Sequence, residues 1–168
     1  MMGEVGDGFK IAMSALDSGR YSVAAGCVGI CQGSLDASVA YAKEREQFGR
    51  PIGSFQAVKH ACADVAVDVA LSRQLVRRAV LLEASGGADD AATVAVAMAK
   101  AHATETAVRA TGSAVQLHGG IGYTWEHGLH VLLKRATLDR SLFGSPRAHR
   151  ALLADRYTAV DVGRDPLA

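Results

Sequence analysis

The chain has 168 residues, 49% of them hydrophobic and 5% aromatic, with 18 Lys and Arg against 17 Asp and Glu. That length suits one domain with a substantial core. A formal net charge of +1 supplies no general field to draw in nucleic acid or an anionic membrane, so any partner must be recognised locally. The three cysteines, Cys27, Cys31 and Cys62, are odd in number and fall in helical patterns, which suits reduced core residues better than a disulfide framework.

Met1-Met2-Gly3-Glu4-Val5 has no basic segment followed by an apolar run, so it does not read as a signal peptide. No apolar stretch long enough to span a bilayer is expected either, and a cytoplasmic location is the expectation. Residues 1–8 read as a linker-like start, 9–160 as a helical domain and 161–168 as a tail. The first helix runs from about Phe9 to Tyr41 without proline, and Gly26, Gly29 and Gly33 recur at helical spacings. Each glycine inside a helix costs roughly 1 kcal/mol relative to alanine, so their recurrence predicts a face that another backbone approaches closely. Cys27 and Cys31 stand four apart, as two metal ligands would, yet no second Cys or His pair completes a four-ligand set and no metal site is expected.

The helix is interrupted by Arg45-Glu46-Gln47-Phe48-Gly49-Arg50-Pro51-Ile52-Gly53-Ser54-Phe55-Gln56. A simple polar turn would suffice to reverse the chain, whereas this segment carries a guanidinium able to grip an anion bidentately beside a buriable ring. Ser54 is the predicted N-cap of a second helix, in which Phe55, Val58, Cys62, Val65, Val69, Ser72, Val76 and Ala79 form a seam at spacings of three and four. Gly86-Gly87 ends it, and Asp89-Asp90 supplies a cap and negative charge for the next.

A third helix from about Ala91 to Leu117 carries Val96, Ala99, Ala103, Thr106 and Ala110 on one face, small enough for close helix packing. Gly119-Gly120 and Gly122 terminate it. A fourth resumes near Glu126 through Leu133 toward Leu138, with Glu126 favouring its N-terminal dipole and Asp139 paired to Arg135 four residues earlier. Ser145-Pro146 reads as an N-cap and first-turn proline opening a last helix through Tyr157, and the tail after Val160 is expected to fray. With no period-two alternation and no Asn-Gly hairpin signal, the fold class is all-α, an antiparallel bundle of long helices.

Two constellations stand above this background. One is Arg45 to Gln56; the other is Gln116-Leu117-His118-Gly119-Gly120-Ile121-Gly122-Tyr123, whose glycines allow a backbone to approach a phosphate-bearing or adenine-bearing molecule. His118 has no serine and carboxylate pattern beside it and receives no catalytic role.

Taken together, these segments resemble the acyl-CoA dehydrogenase family in its C-terminal helical domain. Gly6-Asp7-Gly8-Phe9 is similar to the family's entry into that domain and Leu16-Asp17-Ser18-Gly19-Arg20 to its first-helix motif. Arg45 to Gln56 resembles the Arg-x-Gln/Thr-Phe-Gly signature, and Gln116 to Tyr123 the Gln-x-x-Gly-Gly-x-Gly-Tyr/Phe signature. The resemblance implies that Arg45 contacts an FAD pyrophosphate, that Gln47 and Phe48 flank the dinucleotide and that Gln56 reaches its adenosine side. Gln116 and Gly120 would meet the ADP portion, and Ser145 would stand near the flavin. In this family such groups commonly grip the flavin of a neighbouring subunit. Asp17 and Arg20 match positions that meet the CoA part of an acyl-CoA substrate.

The family's reaction takes an α-proton from the thioester while hydride leaves the β-carbon for the flavin, which requires a carboxylate base. That glutamate usually sits in a Tyr-Glu-Gly-Thr-like loop, matched here by Leu142-Phe143-Gly144-Ser145, or else in Leu-Asp-x-Glu-Arg of the first helix. Phe143 and Gly19 occupy those two positions, and neither Glu126 nor Asp139 matches them. Full-length members also carry two further domains before this one. The expectation is a domain that lends FAD contacts and oligomer packing, as a homo-oligomer (dimer or tetramer) or with a full-length subunit, and does not catalyse alone. The rival expectation is a noncatalytic assembly module or pseudo-subunit of a heteromeric dehydrogenase, and a nucleic-acid-binding bundle ranks third because no basic face is evident.

Overall fold

A computed structural model describes residues 3–85 and 90–160. Among the described residues the domain is built of five helices, α1 (Gly8–Glu44), α2 (Gln56–Ala84), α3 (Asp90–His118), α4 (Leu129–Ser141) and α5 (Pro146–Val160), as the helical periodicity predicts. The ends assigned to Gly86-Gly87, Asp89 and the tail after Val160 lie outside the described residues.

The central element is α3. Its alanines at 92, 95, 97, 99, 101, 103, 107, 110 and 114 are buried on most sides of the helix, and it packs on α1, α2, α4 and α5 in turn. Small side chains let so many neighbours approach one axis. Against it α1 presents Ala24, Cys27, Cys31, Ser34, Ser38 and Ala42, spaced by three and four. The buried hydroxyls are satisfied within the helix: Ser34 donates to the Ile30 carbonyl and Ser38 to the Ser34 carbonyl, both at 2.8 Å. In α2 the buried residues are Val65, Val69, Ser72, Val76 and Ala79, the deeper part of the predicted seam.

Several local expectations are corrected. Gly26, Gly29 and Gly33 are exposed, and among the described residues nothing outside their own helix turns comes within 4 Å of where their Cβ atoms would lie. Among the described residues no other backbone therefore compensates them. The connection after α1 is a hairpin: β1 (Glu46–Gln47) pairs antiparallel with β2 (Arg50–Pro51), around Phe48 at φ 54° and Gly49 at φ 73°. Two consecutive left-handed residues are the backbone of a type I′ turn. The sequence signal was missed because phenylalanine holds the position usually taken by asparagine or aspartate.

Ser54 is not the N-cap of α2. It lies in a 3-10 turn, Ile52–Ser54, its Oγ is buried with no hydrogen-bond partner among the described residues, and Phe55 occupies the cap in extended conformation. Similarly α4 begins at Leu129 behind Gly128 at φ 65°, so Glu126 lies outside the helix, fully exposed, its acidity raised chiefly by a hydrogen bond with Thr124. The predicted cap of α5 is present: the Ala148 amide donates to Ser145 Oγ at 3.3 Å, with Pro146 in the first turn. The expected lack of a spanning segment also changes, since α1 contains a window of mean hydropathy 1.3, long and apolar enough by length and composition to cross a membrane. Its Ala, Val, Ile and Cys content serves here to pack one face against α3.

Candidate functional site

The site residues fall into two groups at opposite ends of α1. The first gathers where α1 stops. There the Arg45 amide donates to the Tyr41 carbonyl and the Ile52 amide to the Arg45 carbonyl, both at 2.8 Å, pinning the Arg45 backbone on either side. Its side chain is exposed and forms no ion pair among the described residues. Gln47 and Phe48 project from the hairpin, Phe48 being 92% exposed, and Gln47 Nε2 donates to the Glu46 carbonyl. Phe48 meets Phe55 edge to face at 6.1 Å, and the Arg50 guanidinium lies 4.3 Å over the Phe55 ring. Gln56 opens α2, exposed.

The glycine-rich segment reaches the same end of the bundle. Tyr41 stacks on His118 with ring centroids 4.3 Å apart, joining the C-terminal ends of α1 and α3. From there Gly119–Tyr123 forms a 3-10 helix in which Gly120 is exposed, and Gln116 is exposed in the last turn of α3 before it. Gly122 is dictated by close approach, since a Cβ there would lie 2.7 Å from the Val115 carbonyl oxygen. His118 is structural: it is 3% exposed, its Nδ1 lies 2.7 Å from the Ala114 carbonyl, and burial lowers its pKa against that hydrogen bond. Thus Arg45, Gln47, Phe48, Gln56, Gln116 and Gly120 belong to one end of the molecule.

The second group lies near the start of α1. Arg20 forms an ion pair with Asp17 and donates from Nε to the Phe143 carbonyl at 3.3 Å. Phe143 sits at φ 54° in the connection between α4 and α5. Its ring covers Gly19 so closely that a Cβ there would fall 2.8 Å from both Cε1 and Cζ. The two positions at which a base was sought, 124 residues apart in the chain, therefore meet in space, and an apolar ring fills the place. Ser145, next along, borders a shallow cavity of about 310 Å3 that is also lined by Arg140, Arg147 and Arg150. Arg150 pairs with Glu105 there.

Of the other acids considered, Asp139 is 1% exposed and takes two hydrogen bonds from Arg135 Nε at 2.9 and 3.0 Å, the partnership expected from their spacing. Sequence reasoning passed over Lys100 and His149, both buried beside the Phe143 loop. A signal existed for the first: Lys100 follows Val96 by four and precedes Ala103 by three, a charge on the apolar seam of α3.

Residues 6–158 match the family model of the acyl-CoA dehydrogenase C-terminal domain. The probable acyl-CoA dehydrogenase YngJ of Bacillus subtilis (strain 168) is 44% identical over 154 residues, covering 92% of this chain and 40% of that protein. Butyryl-CoA dehydrogenase from Megasphaera elsdenii superposes with a TM-score of 0.86 at 35% identity, over 93% of this chain and 40% of that one. PigA with FAD and proline superposes with a TM-score of 0.85 at 28% identity, over 91% of this chain and 39% of that one. The chain thus spans about 40% of the length of the relatives it matches.

Proposed function

We propose, on the premise that this chain belongs to the acyl-CoA dehydrogenase family as its C-terminal domain, that it acts as the helical, oligomer-forming part of an FAD flavoprotein for α,β-dehydrogenation of acyl-CoA thioesters. In this reading it lends contacts to the ADP portion of a flavin and supplies no catalytic base. The observation that carries the last point is the Phe143 ring seated on Gly19, which fills both base positions with a group unable to accept a proton.

The residues present suit FAD. Arg45 offers a guanidinium on a pinned backbone, Gly120 has open space where a side chain would stand, and arginines line the cavity beside Ser145. Arg45 would hold the pyrophosphate, Gln47 and Phe48 would flank the dinucleotide, Gln56 would meet the adenosine side, and Gln116 with Gly120 the ADP. FAD would supply hydride acceptance when bound. Asp17 and Arg20 would face the CoA moiety, though Arg20 already spends Nε on the Phe143 carbonyl. From Arg20 to Arg45 the rise along α1 is roughly 37 Å at 1.5 Å per residue. The CoA-facing and ADP-facing ends of a chain thus stand far apart, and in this reading a neighbouring subunit completes each flavin site. The exposed Gly26, Gly29 and Gly33 face supports close packing between chains.

The filled base position also favours a second reading, a pseudo-subunit that keeps the packing surface of a heteromeric dehydrogenase and has lost the chemistry. Arg45→Ala separates the two. Loss of FAD binding by at least tenfold in fluorescence titration, with oligomeric state unchanged by light scattering, supports flavin contact; unchanged FAD binding supports the packing role alone. Removing a guanidinium from a pyrophosphate is worth about 1.5–3 kcal/mol as a charged hydrogen bond.

A further inference from the structure

Lys100 lies wholly buried in α3 among alanines. Burying an ammonium costs several kcal/mol unless its protons find acceptors, and a packed helix seam has no need of one. Its Nζ donates to two main-chain carbonyls, Asp139 at 3.0 Å and Gly144 at 3.3 Å. The first belongs to the last turn of α4, where carbonyls lack helical partners and the helix dipole favours a cation. The second lies just beyond Phe143. One ammonium therefore stitches together the two ends of the turn that presents this ring.

That turn is in need of holding. Phe143 is a bulky residue at φ 54°, a conformation that costs on the order of 1–3 kcal/mol and persists only where its surroundings over-determine it. Arg20 from α1 takes the Phe143 carbonyl, and His149 from α5 packs its ring against Gly144, where a Cβ would lie 3.0 Å from Nε2. Lys100 from α3 takes the Gly144 carbonyl. Arg20 is partly exposed and has Asp17 as an alternative partner, whereas Lys100 is enclosed, with Asp139, the Cys27 thiol, Arg20 and His149 as its electrostatic neighbours and its hydrogen bonds going to the two carbonyls of this turn.

We propose that Lys100 is a positioning residue for residue 143: its ammonium locks the Leu142–Gly144 turn so that the side chain at 143 is laid on Gly19. The functional meaning of that position rests on the reading given above, while the geometry does not.

The test uses the full chain labelled with fluorophenylalanine, whose four phenylalanines give four fluorine resonances, that of Phe143 being assigned with Phe143→Leu. In Lys100→Met the Phe143 resonance is expected to move toward those of exposed Phe48 and Phe9, and amide exchange at Gly144 to quicken on the order of tenfold or more, with the other resonances in place. Lys100→Arg should restore part of both. A folded Lys100→Met with the Phe143 resonance and Gly144 exchange unchanged overturns the proposal. Should Lys100→Met not fold, the wild-type chain decides. A slowly exchanging lysine ammonium with cross-peaks to the Gly144 α-protons is expected, and a Lys100 ammonium exchanging as fast as those of exposed lysines overturns the lock. Neither readout involves flavin, so failure here and failure of the Arg45 test are separate results.

Discussion

Gly19 and Phe143 form a matched pair, because the ring occupies the space that any side chain at 19 would need. Gly19→Ala should therefore cost about 1–3 kcal/mol by overpacking despite the higher helix propensity of alanine, and the penalty should vanish in the Phe143→Ala background. A double-mutant cycle by urea unfolding reads this directly: a coupling of at least about 0.5 kcal/mol is expected between contacting residues, and additivity would show that the ring leaves Gly19 in solution. The motif positions that revealed the missing glutamate were legible in the sequence. Their meeting was not, since 124 residues and three helix connections separate them and only the docking of the α4–α5 turn on α1 brings them together.

At the scale of elements, helices were legible where apolar spacing runs uninterrupted, as in Val65, Val69, Ser72, Val76 and Ala79. Helix ends were read less well. Ser54 has the chemistry of a cap yet loses the position to Phe55, because the 3-10 turn after Pro51 carries the chain one residue further before α2 begins. The Phe48-Gly49 hairpin shows the same competition between local preference and another demand. A type I′ turn favours Asn-Gly, so Phe48→Asn should raise stability by up to about 1 kcal/mol through relief of the left-handed aromatic, less whatever the edge-to-face contact with Phe55 provides. In the same variant FAD affinity should fall if Phe48 flanks the dinucleotide. Chemical unfolding and flavin titration moving in opposite directions would mark the ring as kept for binding; movement together would mark it as a folding contact.

For the whole molecule, the buried thiols give a pH signature. Burial, first, then the nearby acids, Asp139 at Cys27 and Asp68 at Cys31, push each thiol from its ordinary 9.0 up to about 12. Between those values the folded chain keeps protons that the unfolded chain releases, so stability is whole below about pH 9 and falls as pH rises toward 12. Urea unfolding across that range should show the fall, and Cys31→Ala should flatten part of it. Alkylation of the native protein should reach half-buried Cys62 first and spare Cys27 and Cys31 until unfolding. The amino-acid sequence by itself determined the helical class, the family motifs and the absence of glutamate at positions 19 and 143, because periodicity and residue identity are local properties of the chain. Tertiary structure alone decided that the candidate contacts divide between two ends of α1, that Phe143 fills the space above Gly19, and that a buried lysine holds the turn between them, because each depends on which distant segments the packing of α3 brings into contact.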